Sequence, residues 1–142
     1  MRYVSTLGLA IDDLGPFELD PSDDYPDFVH RVTEKVASES GSRGIIVGGS
    51  GQGEAMAANR NPGIRALLFY GRATAFAPIE AEGTPPGDGF DIVRLSRRHN
   101  DANVLSLGAR FVSGEDAREA VKVFLETDFS GEERHRRRIE KF

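Results

Sequence analysis

The hydrophobic and polar positions along the chain change period several times, and each change marks an element. Residues 44–47 and 64–70 are short apolar runs rich in Ile, Leu and aromatic side chains, the pattern of buried strands. Residues 103–107 make a third run, and Leu9-Ala10-Ile11 makes a short fourth. Between the runs the spacing lengthens to that of helices. Phe28, Val29, Val32 and Val36 share one helical face, with Ser22-Asp23-Asp24 as N-cap chemistry and Pro26 in the first turn. Ala117, Ala120, Val121, Phe124 and Leu125 form a second stripe, introduced by Ser113 and Asp116 as a capping box. Residues 132–141 run from acidic to basic, the order that suits the dipole of a short helix. Strands alternating with helices predict an α/β fold, a mostly parallel sheet with helices on both faces. Residues 71–89 break the regularity with Pro78, Gly83, Pro85, Pro86, Gly87 and Gly89. They read as a surface excursion, whether lid, partner contact or plain insertion.

Composition narrows the class. A chain of 142 residues fits a single domain, and 39% hydrophobic with 29% charged residues is ordinary for a globular protein. A net charge of -5 gives no electrostatic reason to expect nucleic acid or an anionic membrane as partner. The absence of cysteine removes disulfides, thiolate nucleophiles and cysteine-based zinc sites. No stretch approaches the ~20 apolar residues of a membrane span. The first residues lack the apolar core of a signal peptide, so a cytoplasmic protein is the default expectation.

The candidate chemistry centres on Gly48-Gly49-Ser50-Gly51-Gln52-Gly53-Glu54, where an apolar run empties into glycine at the start of a helix. Glycine lets backbone N–H groups approach an anion closely, and a helix start adds unpaired N–H groups. The spacing is neither a dinucleotide fingerprint nor a P-loop. Two readings stand: a tight turn without ligand, or an anion cradle with Glu54 as base. Proton abstraction beside a carbonyl needs such a carboxylate next to donors for the developing oxyanion, and Gly49, Ser50, Gly51 and Gly53 can supply them. His99 lies in a polar stretch before the third strand and is the side chain suited to moving protons near neutral pH. His30, on a charged helix, and His135, in the basic tail, lack an evident acid–base context. Arg134 and Arg138 are four apart, so they share a helical face and match either a phosphate or plain solvent. Arg110, just after a strand, joins them or pairs with a carboxylate.

These segments together resemble a known family. The stretch from Gly48 to Asn59, the stretch Arg98-His99-Asn100-Asp101-Ala102-Asn103 running on to Arg110, and Arg134-His135-Arg136-Arg137-Arg138 look like ribose-5-phosphate isomerase B. That type belongs to the RpiB/LacA/LacB sugar-phosphate isomerase family. Asp23-Asp24-Tyr25-Pro26-Asp27-Phe28 matches a fourth segment, and the order along the chain is the family's. The resemblance implies a Rossmann-like three-layer α/β/α fold, a metal-free and cofactor-free reaction, and a homodimer or homotetramer with active sites shared between subunits. It implies aldose–ketose isomerisation through an enediolate, most simply of ribose 5-phosphate and ribulose 5-phosphate. Carried over by residue, the glycine loop with Ser50 holds the enediolate oxygens. His99 assists ring opening, Asn100 and Tyr25 touch the sugar, and Arg110, Arg134 and Arg138 bind phosphate. Many members have a catalytic cysteine where this chain has Gly48; others share the glycine and use the glutamate, here Glu54.

The resemblance departs from the family at two places. The family's first strand, which ends in an Asp-His pair, has no counterpart: residues 1–7 match only the end of the first helix, and residues 9–14 the second strand. Asp12-Asp13 has no following histidine. A start placed too late and a shortened relative both account for this, and a parallel sheet without its first strand exposes an edge. The 71–89 loop is the second departure. Within the family, galactose 6-phosphate and allose 6-phosphate are alternative substrates. The missing pair also admits a non-catalytic phosphosugar-binding subunit.

Overall fold

Three of the apolar runs become the strands of one parallel sheet in the computed structural model, which describes residues 2–77 and 87–142. β1 spans Gly44–Gly48, β2 Ala66–Phe69 and β3 Val104–Gly108, in the spatial order β1-β3-β2. Val104 pairs with Gly44 on one side and Ala66 on the other, and Leu107 with Val47 and Phe69. The last strand in sequence is therefore central, and every residue of it is buried. A strand covered on both faces reads as a near-continuous apolar run, interrupted here by Ser106.

Helices cover the two faces. α2 (Tyr25–Ser38) and α3 (Gln52–Ala58) belong to one, where Val29, Val36, Ala58 and Ile64 pack on Ile46 and Val104. On the other, α4 (Asp91–Asn100) and α5 (Gly114–Glu126) bring Phe90, Val93, Ala120 and Phe124 onto Phe69, Leu105 and Leu107. α6 (Glu133–Ile139) packs on α4, and the short α1 (Arg2–Ser5) adds Tyr3 and Val4 to the second cluster. Neighbouring strand residues such as Leu105 and Ser106 face opposite layers, so one sheet supplies two cores.

The structure corrects several local expectations. Leu9-Ala10-Ile11 is not a strand. Leu9 is 47% exposed, and the segment is tethered to α2 by the Asp12–Lys35 ion pair at 3.0 Å. So short a segment needs a neighbouring strand to satisfy its backbone, and none pairs with it among the described residues. β1 is correspondingly an edge strand, with Val47 64% exposed. Asp24 occupies the N-cap of α2 but makes no side-chain cap bond. Ser22 instead gives its hydroxyl to the Asp20 carboxylate at 2.6 Å. The Ser113 expectation holds, since its Oγ accepts the Asp116 N–H at 3.0 Å. The ends of the 71–89 excursion meet where the Ala73 N–H donates to the Gly89 carbonyl at 3.0 Å; residues 78–86 lie outside the described residues. No helix among the described residues is long and apolar enough to cross a membrane.

Candidate active site

The chain passes from β1 to α3 in three residues, Gly49, Ser50 and Gly51. Gly51 makes the turn at φ 73°, with its α-carbon against the Leu68 side chain and the β3 backbone, where no side chain fits. The loop's carbonyls are tied into the fold. Gly48 O accepts from Ala109 N–H at 2.8 Å, Gly49 O from Arg110 N–H at 3.0 Å, and Gly51 O from the buried Ser106 hydroxyl at 2.8 Å. Ser50 Oγ accepts the Gln52 N–H at 3.3 Å. With the Gly48, Gly49 and Gly51 carbonyls so held, a ligand at this turn meets backbone amides of the loop and helix start.

Three side chains from separate elements close on this loop. Glu54, in the first turn of α3, rests its carboxylate on Gly48, where a β-carbon on residue 48 would collide with Oε1. Tyr25, at the start of α2, lays its hydroxyl on Gly53. Arg110, two residues past β3, lies over Gly49, its guanidinium carbon 3.3 Å from the place of a β-carbon there. Gly49, Ser50, Gly51, Gly53, Glu54, Tyr25 and Arg110 thus form one cluster at the carboxyl ends of the strands, where α/β sheets bind ligands. A carboxylate, a guanidinium and oriented amides at one spot suit proton transfer on an anionic substrate.

The remaining predicted residues lie at the other end of the sheet. α4 runs back against the strands, and only residues 101–103 separate its last residue, Asn100, from the start of β3. Asn100 and Asp101 carbonyls accept from Arg65 Nε at 2.9 and 3.0 Å, just before β2 begins. His99 is therefore about 15 Å, the length of a five-residue strand, from the glycine loop. Arg134 and Arg138 on α6 are exposed at this same end, where Arg134 pairs with Glu132 at 2.7 Å. Within one chain Arg110 does not join them.

The helix end that carries His99 is firmly built. Asp101 caps α4 at φ 45°, and its carboxylate is gripped by Arg97 at 2.8 Å and Arg65 at 3.1 Å. Arg97 is itself only 4% exposed and also donates to the Thr127 carbonyl at 3.1 Å. His135 is buried against the ring of His99, centroids 4.2 Å apart, with its Nδ1 2.8 Å from Ser130 Oγ. Burial pushes the His135 imidazolium below its ordinary 6.5, helped by His99, Arg134 and Arg138 and opposed by Glu132. The unfolded chain therefore takes up this proton at a higher pH than the folded one. The stability that depends on a neutral His135 is complete above about pH 6.5 and is lost as pH falls toward the lower folded value. Thermal melts from about pH 7 to 5 are expected to show a falling midpoint, and His135→Phe to flatten that part of the curve.

Two contributors escaped the sequence reading. Ser106, which holds Gly51, was detectable as the one polar residue between Leu105 and Leu107. His135 was detectable through Ile139, four residues on, since both face inward on a helix otherwise exposed. A groove of about 600 Å³ lies away from the glycine loop. It follows the outer side of β2, between Leu67, Leu68, Ile92, Leu95, Asn100 and Phe142. That groove does not mark the chemistry; the converging charged groups do. Among the described residues no cluster of His, Asp and Glu offers a set of metal ligands.

Comparison with known proteins gives one answer. The family signature described as Ribose/Galactose Isomerase matches residues 1–82 and 90–142, breaking only inside the 71–89 excursion. A probable ribose-5-phosphate isomerase B from Mycoplasma pneumoniae is 37% identical over 141 residues, covering 99% of this chain and 80% of that protein. Ribose-5-phosphate isomerase B of Mycobacterium tuberculosis is 34% identical over 128 residues, covering 90% and 68%. Among solved structures, ribose-5-phosphate isomerase B from Mycoplasma genitalium with bound ribulose-5-phosphate superposes with a TM-score of 0.80 at 35% identity. That match covers 99% of this chain and 80% of the other.

Proposed function

Because the chain belongs to the ribose/galactose isomerase family, we propose that it interconverts ribose 5-phosphate and ribulose 5-phosphate, with Glu54 as the base. The observation that carries this reading is the Glu54 carboxylate seated on Gly48 beside a loop in which the Gly48, Gly49 and Gly51 carbonyls are engaged by the fold. His99 first opens the furanose by moving a proton between the anomeric hydroxyl and the ring oxygen. Glu54 then takes the proton from C2 of the open aldose, and the electron pair of that C–H bond forms the C1–C2 double bond of an enediolate. Amides at Gly49, Gly51 and Gly53, with the Ser50 hydroxyl, hold the developing negative oxygen. Return of the proton to C1, with transfer of the hydroxyl proton from O2 to O1, completes the ketose. Tyr25 and Asn100 contact the sugar, and Arg110, Arg134 and Arg138 hold the phosphate as guanidinium groups hold such anions.

The working enzyme in this reading is a homodimer, or a homotetramer built from such dimers, with each site shared. His99 lies a strand's length from Glu54 of its own chain, so the two act on one sugar only if they come from different subunits. The apolar groove beside β2, with Ile92 and Phe142 exposed, is the surface a second copy covers. The whole of 1–142 serves as one isomerase domain, and the 71–89 loop is an addition to it. The test is incubation with ribulose 5-phosphate in deuterated water. Ribose 5-phosphate is expected to accumulate with solvent deuterium bound to carbon. Binding of the sugar phosphate without conversion or exchange would instead leave a non-catalytic subunit.

A further inference from the structure

The basic helix α6 has a puzzling interior residue. Arg134, Arg136, Arg137 and Arg138 are exposed, while His135 retains only 2% of its surface. Leucine would fill that space without the cost of burying a polar ring. The contacts of His135 instead form a closed circuit around the end of α4. The Arg98 carbonyl accepts the Ser130 N–H at 3.0 Å, Ser130 Oγ lies 2.8 Å from His135 Nδ1, and the His135 ring packs on His99 at a tilt of 38°. The circuit returns to the residue beside its start. Ser130 Oγ also accepts the Glu132 N–H at 3.4 Å, which ties the serine to the start of α6. Burial favours the neutral form of His135, and in either tautomer the Ser130 contact pins the ring at Nδ1. A neutral ring pinned at one nitrogen is a plate of fixed orientation.

We propose that His135, oriented by Ser130, is a positioning residue that fixes the plane of the His99 ring for opening the sugar. The inference rests on the isomerase reading above and adds a specific partner for its ring-opening histidine. Positional error is expensive in such a step: about 1 Å of misplacement can cost on the order of 100-fold in rate. Packing on one face and a hydrogen bond one residue removed together restrain both translation and tilt.

Steady-state kinetics of His135→Ala, His135→Phe and Ser130→Ala, each also made in a His99→Asn background, test it. His135→Ala is expected to lower kcat about tenfold to 100-fold with KM within about twofold. His135→Phe restores a flat ring and should recover most of that loss. Ser130→Ala, the mildest change to the fold, should lower kcat by about threefold. In the His99→Asn background none of the three should lower kcat further, because the group they position is gone. Ribulose 5-phosphate is open-chain, so its carbon-bound proton exchange should keep the wild-type rate in all three single variants. A loss that persists in the His99→Asn background, a matching loss of exchange, or a rise in KM alone would overturn the inference. Wild-type protein with neither turnover nor exchange overturns the isomerase reading, and this inference with it.

Discussion

Glu54→Gln is expected to fold as the wild type does and to isomerise ribose 5-phosphate at least about 100 times more slowly. Glutamine has the same length and can keep the seat on Gly48, so packing around the loop is preserved. The lost charge at the first turn of α3 costs roughly 0.3–1 kcal/mol of stability, small beside the rate effect. Gly48→Ala makes a companion variant with no change of charge. Its methyl group enters the space of the carboxylate, and Glu54, a flexible side chain, swings aside without unfolding the protein. Both variants should melt near the wild-type temperature while turnover falls. Turnover unchanged in both would remove Glu54 from the role of base.

The second large effect is a recovery. Glu54→Gln and His99→Asn proteins should each be nearly inactive, yet a mixture allowed to exchange subunits should regain about a quarter of wild-type activity. Half of the dimers then pair the two variants, and in each such dimer one site joins an intact Glu54 to an intact His99. Sites contained within single chains would give no recovery, because every chain carries a lesion. The expectation follows from α4 ending beside the start of β3 while the glycine loop lies at the far end of β1. Activity of the mixture, followed over the hours of subunit exchange, reads it directly.

The strands were legible because burial on both faces leaves a near-continuous apolar signature, as in Val104, Leu105 and Leu107. The α5 stripe was legible because Ala120, Val121 and Phe124 face one core. α4 was not, and the reason is chemical: it buries Asp91, Ser96 and Arg97 along with Val93, so a count of apolar spacing passes over it. Its polar residues are held by ion pairs and carbonyls instead, such as Arg94 with Asp91 at 3.2 Å. The fourth strand failed for a different reason. Leu9-Ala10-Ile11 has the composition of a strand, but composition does not supply a neighbour. At the site, the glycine loop and Glu54 were readable from residue order, since strand, turn and helix are contiguous. Tyr25 and Arg110 were placed there by resemblance, and only the three-dimensional fold puts one on Gly53 and the other over Gly49. The division of the predicted residues between two ends of the sheet is invisible in one dimension.

The seating of Glu54 on Gly48 also constrains the order in which such a site can evolve. The two positions exclude one another: a thiol-bearing side chain at 48 and a carboxylate resting there cannot coexist. The carboxylate therefore keeps this seat only while residue 48 is glycine, and any larger residue there turns it away. Selection on position 48 thus depends on position 54. Relatives should fall into two groups by that pair, with few intermediates between them.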